Sequence, residues 1–304
     1  MSGRTRIIAA LVALMGSFAC GYCADTSSRP VRGGQYSVRV VKDLAYFEGS
    51  DADSIKHRLD LYLPRGAESF PTVLFVHGGG WRTGDKNFLF DIYGKLASLF
   101  ARNGVGCVVT NYRLSPKVKH PEHVKDVARA FAWTHKHLPD YGGNAKQIFV
   151  MGHSAGGHLC TLLAADETYL GDHGLKTSAI KGVLGLSGVY EINAAKSFFP
   201  SVFGDDPEVR RLASPVHHVR TGLPPFLLLY GDSDFPTLDR LARQFHSALR
   251  TANVESEVQE MKKRDHFSMI GLMIEQDDPV FQASLQFIAR HANLKLEALA
   301  ETGR

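Results

Sequence analysis

Two short glycine-rich motifs and a few titratable side chains downstream of them are the parts of this sequence that could perform chemistry. The motif Gly-His-Ser-Ala-Gly at 152–156 places a serine with glycines two residues away on either side. The spacing alone is weakly specific, because a glycine-rich turn gives the same pattern. Its context is more informative, since the apolar run 148–151 precedes it and a helix-like stretch of small residues follows. We therefore predict a tight strand–turn–helix elbow that exposes the hydroxyl group of Ser154 as a nucleophile.

A second motif, His-Gly-Gly-Gly-Trp at 77–81, directly follows the apolar run 73–76. Three successive glycines leave backbone N–H groups uncovered, so that they can approach a substrate oxygen. Attack on a carbonyl carbon creates an oxyanion, which such donors stabilise when they are already aimed at it. We predict that the backbone N–H groups of Gly79, Gly80 and Ala155 form an oxyanion hole.

A serine nucleophile requires a base, and the base requires a group that orients it. Where a serine stands on a strand–turn–helix elbow, the order along the chain is serine, acid, histidine. His266 follows the predicted strand 254–260 and a predicted polar loop at 262–265, so it is the candidate base. The acid is expected after the preceding strand, where Asp232 and Asp234 both qualify. We favour Asp234 and keep Asp232 as the alternative.

The remaining elements must bring these groups to one edge of a sheet. The predicted strands are 36–47, 57–63, 72–76, 105–110, 147–151, 180–186, 225–230 and 254–260, and the predicted helices are 88–102, 124–137, 155–165, 238–250 and 280–291. The first two strands predict a hairpin, and strands and helices then alternate. This order predicts an α/β fold with a mostly parallel, eight-stranded sheet and helices on both faces.

Further motifs complete a resemblance to a known family. The residues at 77–81, 84–86, 111–116 and 152–158 resemble those of bacterial α/β-hydrolases in the hormone-sensitive-lipase-like and kynurenine-formamidase-like group, which also contains feruloyl and acetylxylan esterases and isoprenylcysteine methylesterases. The resemblance implies an α/β-hydrolase fold and hydrolysis of carboxylic esters through an acyl-enzyme. It also implies that no metal or other cofactor takes part and that Asp234 is the acid.

Two positions depart from parts of that group. His153 stands where the hormone-sensitive-lipase branch usually has aspartate, and Trp81 favours the formamidase-like branch. That branch contains an amide hydrolase, so an amidase or peptidase with the same triad is the alternative activity. A catalytically inactive hydrolase fold used for binding is the alternative from another class. For substrate contacts we consider Trp81, His153, Phe198, Phe199 and Phe203, although core packing explains the phenylalanines at least as well.

The composition is typical of a globular protein. Of the 304 residues 44% are hydrophobic and 22% are charged, and the formal net charge is +4. Lysine and arginine are scattered rather than gathered in a run that could follow a phosphate backbone. We therefore expect no nucleic-acid partner. The resemblance to the α/β-hydrolases implies a small-molecule, sugar or aryl ester as substrate. The sequence does not predict an oligomeric state.

The N-terminal residues have the pattern of an export signal. Arg4 and Arg6 precede the apolar run 7–19, which is short for a membrane span. This order is typical of a secretory signal peptide, so we expect a secreted or periplasmic protein without stable membrane insertion after signal removal. A lipid anchor at Cys20 is less favoured, because the residues before it match the lipoprotein pattern poorly. The predicted organisation is a signal peptide at 1–21, a catalytic domain at 36–292 and a C-terminal tail at 293–304.

Overall fold

The structure, a computed structural model, describes residues 36–192 and 199–294. The predicted signal peptide at 1–21, most of the predicted C-terminal tail and Phe198 lie outside the described residues. Within the described ranges, every helix is too short or too polar to span a bilayer.

The eight predicted strands form a single sheet. They are β1 Val38–Ala45, β2 Arg58–Pro64, β3 Phe70–Val76, β4 Gly106–Thr110, β5 Gly143–His153, β6 Ile180–Leu186, β7 Phe226–Ser233 and β8 Ser256–Asp265. Their order in the sheet is β1-β2-β4-β3-β5-β6-β7-β8. Strand β2 runs antiparallel to both neighbours, and the pairs from β4 to β8 are parallel. The predicted hairpin and mostly parallel sheet are confirmed, and the carboxyl ends of β3 and β5 to β8 share one edge.

Helices cover both faces of this sheet. They are α1 Phe88–Arg102, α2 Glu122–His137, α3 Ala155–Ala165, α4 Thr168–Gly171, α5 Pro200–Phe203, α6 Pro207–Leu212, α7 Leu238–Thr251, α8 Ser268–Gly271 and α9 Pro279–Ala292. In β3, Leu74 and Val76 face the core shared with α2, α3 and α7, whereas Val73 and Phe75 face the core shared with α1 and α9. Because both faces are covered, the whole strand is buried and its sequence is apolar apart from Thr72.

The ends of the elements differ from prediction mainly where strands are polar. Helices α1 and α3 and strand β6 have the predicted bounds. Strand β8, however, continues to Asp265, so residues 262–265 belong to a strand and not to the predicted loop. This strand lies at the sheet edge, where exposed side chains such as Lys262 and Lys263 are tolerated. Because the end of β8 is polar, the apolar pattern predicted a strand that was too short.

The segment between β6 and β7 joins two neighbouring strands of the sheet and lies partly outside the described residues. Its described part contains α5 and α6 and a 3₁₀ turn at Pro215–His218. The side chains of Phe199, Val202 and Phe203 are buried in the core on the α3 face of the sheet. The described part of this insertion therefore packs onto the domain.

Candidate active site

Ser154 occupies a sharp turn between β5 and α3. Its backbone has φ 56° and ψ −117°, a combination that few non-glycine residues adopt, so the turn is strained. The flanking motif positions must lack side chains. A Cβ atom at Gly152 would lie 2.3 Å from the backbone of Gly156, and one at Gly156 would lie 2.0 Å from the carbonyl oxygen of Val76. The chain thus turns at the carboxyl edge of the sheet, as the motif predicts.

The glycine loop that follows β3 passes beside this turn. A side chain at Gly78 would lie 3.3 Å from the Cβ atom of Ser154. Gly79 and Gly80 have φ values of 114° and 61°, which glycine adopts without steric cost. Within the described ranges, no hydrogen bond occupies the backbone N–H groups of these two glycines. Ala155 is the first residue of α3, where a helix leaves N–H groups without intrahelical acceptors.

His266 and Asp234 form a close pair on the loops after β8 and β7. The Nδ1 atom of His266 donates to Oδ1 of Asp234 at 2.7 Å. Oδ2 accepts from the Ser187 hydroxyl group at 2.5 Å and from the Gly231 N–H at 3.1 Å, and Oδ1 also accepts from the Phe235 N–H at 2.8 Å. Burial opposes ionisation of the carboxyl group, but hydrogen bonds, first that from His266, outweigh it and lower the pKa of Asp234. The carboxylate therefore keeps the imidazole proton on Nδ1 and leaves Nε2 as the basic nitrogen.

Asp232, the alternative acid, has different partners. Its exposed carboxylate accepts hydrogen bonds from the backbone N–H groups of Lys263 and Arg264 in β8, at 3.0 and 3.1 Å. Of the two aspartates left open by the sequence, the structure brings Asp234 to the histidine.

Phe235 and His153 pack on the imidazole of His266, which the ring of Phe267 also meets edge-on at 5.6 Å. Phe235 stacks on it with 4.1 Å between centroids and 18° between planes, although this side chain is 48% exposed. The His153 ring lies 4.7 Å away, and its Nε2 atom hydrogen-bonds to the carbonyl oxygen of His266 at 2.8 Å. His153 was predicted to contact substrate, yet it is buried and packs against the His266 ring.

Ser154 and His266 lie at the same edge of the sheet. The evidence is that His153, which directly precedes Ser154, contacts the His266 ring. Among the described residues, neither the Oγ atom of Ser154 nor the Nε2 atom of His266 has a hydrogen-bond partner. In hydrolases without substrate, the bond between nucleophile and base is often long and shortens only in the substrate complex. The arrangement can transfer a proton once the two side chains approach.

Ser187 and Phe235 are site residues that the sequence motifs did not reveal. Ser187 directly follows β6, has φ 49°, and points its hydroxyl group at Asp234. A positional signal existed, because β6 is parallel to β5 and must end at the same edge of the sheet. Phe235 directly follows Asp234, and only the folded loop shows that its ring stacks on His266.

Three of the other predicted substrate contacts, Trp81, Phe199 and Phe203, lie in the core. Trp81 is 1% exposed and packs edge-to-face against Phe203 and Phe199, with centroid distances of 5.0 and 5.9 Å. Its Nε1 atom donates to Nδ1 of His158 at 3.3 Å. This placement supports core packing, so none of the three aromatic residues is carried into the proposed substrate site.

The remaining motifs of the resemblance, Gly-Asp-Lys and Asn-Tyr-Arg, form a polar scaffold under the site. The Asn111 side chain donates to Asp85 at 2.9 Å and accepts from the Lys86 N–H at 2.6 Å. Arg113 donates to Asp126 through Nε and Nη2, at 2.8 and 2.9 Å. These contacts brace the loops after β3 and β4. In the part of the chain that the structure describes, no group of three or more His, Cys, Asp or Glu side chains could hold a metal ion.

The parallel sheet, the elbow after its central strand and the histidine–aspartate pair at its carboxyl edge define an α/β-hydrolase fold. Comparison with protein-family models agrees, because the model of the BD-FAE family matches residues 59–249. The chain belongs to the BD-FAE family, which confirms the resemblance inferred from the motifs.

Curated relatives carry esterase names. The chain is 31% identical over 226 residues to the probable carboxylic ester hydrolase LipM of Mycobacterium tuberculosis, a match that covers 68% of this chain and 51% of LipM. It is 31% identical over 199 residues to Esterase LipQ of the same organism, covering 60% and 46% of the two chains. It is 28% identical over 246 residues to the isoprenylcysteine alpha-carbonyl methylesterase ICME of Arabidopsis thaliana, covering 73% and 55%. The chain spans about half the length of the curated relatives it matches.

Solved structures show the same fold at low identity. Esterase B from Lactobacillus Rhamnosis superposes with a TM-score of 0.75 at 20% identity, over 95% of this chain and 94% of that one. A truncated carbohydrate esterase from gut microbiota gives 0.71 at 17% identity, over 86% and 100% of the two chains. These likenesses establish the α/β-hydrolase architecture.

Proposed function

We propose that this chain hydrolyses carboxylic esters, with Ser154 as nucleophile, His266 as general base and Asp234 as the orienting acid. One observation carries the proposal: the base is fixed by a 2.7 Å hydrogen bond to a carboxylate, while its second nitrogen is left open at the edge where Ser154 turns. Membership of the BD-FAE family and the names of the relatives support an ester as the bond that is cleaved.

In the first half-reaction, Nε2 of His266 removes the hydroxyl proton of Ser154 while Oγ bonds to the carbonyl carbon. The carbonyl π electrons move onto oxygen, which accepts hydrogen bonds from the N–H groups of Gly79, Gly80 and Ala155. Loss of one such donor typically costs about 3 kcal/mol of transition-state stabilisation. The C–O bond to the alcohol then breaks, and His266 gives its proton to the leaving oxygen.

In the second half-reaction, His266 removes a proton from water as the water oxygen bonds to the acyl carbon. The bond from Oγ of Ser154 to that carbon breaks, Oγ recovers the proton, and the carboxylic acid leaves. Asp234 stays ionised throughout and stabilises the imidazolium form of the base. Its hydrogen bonds from Ser187 and from two backbone N–H groups suit this role, because they favour the charged carboxylate.

As substrates we propose small carboxylic esters, including aryl and sugar esters. The half-exposed ring of Phe235 offers apolar surface directly beside the base. A screen of p-nitrophenyl esters of increasing acyl length, alongside aryl-acid and acetylated-sugar esters, would define the preference.

The test of the reaction is turnover of p-nitrophenyl acetate by the purified protein and its loss in Ser154→Ala. Higher kcat/KM for N-formyl or peptide amides than for matched esters would show an amidase or peptidase instead. Failure of a fluorophosphonate probe to label Ser154 in the folded protein would overturn the hydrolase proposal and favour a binding protein.

We also propose that the protein is exported, on the strength of the Arg4 and Arg6 charges and the apolar run at 7–19. The full chain produced in a bacterium should reach the periplasm or medium with a new N-terminus near residue 22. An intact N-terminus on cytoplasmic protein would contradict this, and a lipid on Cys20 would show the anchored form instead.

A further inference from the structure

We propose that His153 is a positioning residue, which ties the main chain of His266 to the strand that carries Ser154 and so sets where the basic nitrogen lies. The inference rests on the proposed ester hydrolysis. It starts from the 2.8 Å hydrogen bond between Nε2 of His153 and the carbonyl oxygen of His266. A carbonyl group only accepts hydrogen bonds, so Nε2 must carry the proton and donate.

This bond fixes a part of the base that the other contacts leave free. Asp234 holds the ring at Nδ1, and Phe235 holds one ring surface by stacking. Neither contact fixes the backbone of residue 266, which joins β8 to α8. A reacting group displaced by about 1 Å can lose about 100-fold in rate. The His153 bond supplies the missing main-chain anchor.

The same imidazole also contacts the oxyanion loop. A side chain at Gly78 would lie 3.0 Å from Nδ1 of His153, so the glycine loop runs directly over the ring. His153 is 5% exposed and directly precedes Ser154. One buried ring therefore lies between the elbow, the base and the glycines proposed to bind the oxyanion.

This position requires an uncharged ring. Burial, followed by the nearby charge of His266, lowers the pKa of His153 to about 3. The other titratable group that acts on it is Asp234, which is too weak an influence to reverse the shift. A second positive charge 4.7 Å from the base would oppose the imidazolium formed in each half-reaction. A neutral histidine can donate the hydrogen bond without that penalty.

The experiment compares two replacements of this residue. His153→Phe keeps a ring of similar size but removes the donor, whereas His153→Gln keeps an N–H donor. We expect His153→Phe to lower kcat for p-nitrophenyl acetate by about 10- to 100-fold, with KM changed less than about threefold, because the base is misplaced while binding is kept. We expect His153→Gln to recover most of that loss.

A second readout does not depend on turnover. The Nδ1 proton of His266, shared with Asp234, should give a low-field proton NMR signal that shifts or exchanges faster in His153→Phe. The matched control is His158→Phe, since this buried histidine bonds to Trp81 and Ala213 and not to the base. It should leave both the signal and kcat near those of the wild type. Absence of esterase activity in the wild type would refute the proposed function, while the NMR comparison would still test this coupling.

Two results would overturn the proposal. One is wild-type kcat together with an unchanged His266 signal in His153→Phe. The other is an equal loss in the Phe and Gln variants that follows their loss of folded protein, which would show packing alone. If His153→Phe fails to fold, His153→Asn replaces it, because its shorter side chain cannot reach the carbonyl oxygen and should be slower than His153→Gln.

Discussion

The pairs His266–Asp234 and His57–Asp126 join the same two side chains at similar distances, 2.7 Å and 3.0 Å. They differ in what the second nitrogen of the imidazole does. In the buried pair, Nδ1 of His57 accepts the backbone N–H of Asp53 at 2.9 Å, so both nitrogens are occupied and neither can accept a proton from substrate. At the sheet edge, the second nitrogen of His266 has no hydrogen-bond partner among the described residues.

The two carboxylates differ as well. Asp126 receives guanidinium groups from Arg113 at 2.8 Å and Arg129 at 2.7 Å. Burial raises its pKa, but hydrogen bonds from His57 and Arg113 outweigh that and lower the pKa to about 2. Among the described residues, Asp234 receives hydrogen bonds only from a hydroxyl group and backbone N–H groups besides its histidine, so no lysine or arginine there cancels its charge. A histidine–aspartate pair is thus suited to catalysis when one nitrogen stays open and the carboxylate charge is left for the imidazolium.

The largest effect on kcat is expected when His266 is removed, and the comparison is removal of His57. His266→Ala should lower kcat for p-nitrophenyl acetate by about 10⁵-fold, because it removes the base and proton donor. His57→Ala, measured on folded protein, should keep kcat within about threefold. Equal losses in the two variants would erase the distinction between the pairs.

Replacement of Asp234 should give the next largest loss of kcat. Asp234→Asn should lower kcat by about 10⁴-fold, since an amide favours the wrong imidazole tautomer. The matched control is Asp232→Asn, two residues earlier, which should change kcat less than about threefold because its carboxylate bonds to the backbone of β8 and to Ser233 and not to His266. A severe loss in Asp232→Asn with little loss in Asp234→Asn would reverse the assignment.

The buried pair should show itself in stability. His57→Ala should lower the free energy of unfolding by about 3 kcal/mol at pH 7, because it removes a buried hydrogen bond to Asp126 and leaves a cavity beside Tyr46 and Phe47. Urea unfolding followed by circular dichroism measures this change. His266→Ala is the comparison and should lose less, because Asp234 keeps its hydrogen bonds from Ser187 and two backbone N–H groups when the imidazole is removed. A larger loss of unfolding free energy in His266→Ala than in His57→Ala would contradict the interpretation that the His57–Asp126 pair serves stability and the His266–Asp234 pair serves catalysis.

Much of the fold and the residues proposed for chemistry could be predicted because their signals are local or follow chain order. The elbow and the glycine loop are short motifs, and helix α3 begins directly after Ser154, as predicted. His266 and Asp234 could be selected because parallel strands end at one edge, so a residue after a strand is placed by topology. The largely apolar runs of β3 and β6 likewise predicted buried strands near their observed positions.

What the sequence did not reveal depends on contacts between distant parts of the chain. The bond from His153 to the carbonyl of His266 joins residues 113 positions apart, and no local pattern distinguishes it from a substrate contact. The same holds for Ser187 and Asp234, which are 47 positions apart. The core position of Trp81 depends on the insertion after β6 that packs against it. The predicted strand ended too early at residue 260, because the prediction relied on an apolar pattern and the C-terminal part of β8 is polar.

The smallest effect on kcat is expected from removing the Ser187 hydroxyl group, an uncharged donor to Asp234 where Asp126 has guanidinium groups. Ser187→Ala should lower kcat by about tenfold, equivalent to about 1.4 kcal/mol of activation free energy, because one of the hydrogen bonds that favour the carboxylate is lost. Steady-state turnover of p-nitrophenyl acetate measures it, with the free energy of unfolding determined in parallel.

Ser187→Gly is the matched control, because residue 187 has φ 49°, where alanine keeps the backbone strain and glycine relieves it. Both variants lack the hydroxyl group, so they should share the same loss in kcat, while the glycine variant should be the more stable of the two. If kcat instead followed stability, recovering in Ser187→Gly, then the hydroxyl group would matter only through the fold. In that case the uncharged donors around Asp234 would not explain why the His266–Asp234 pair is suited to catalysis and the His57–Asp126 pair is not.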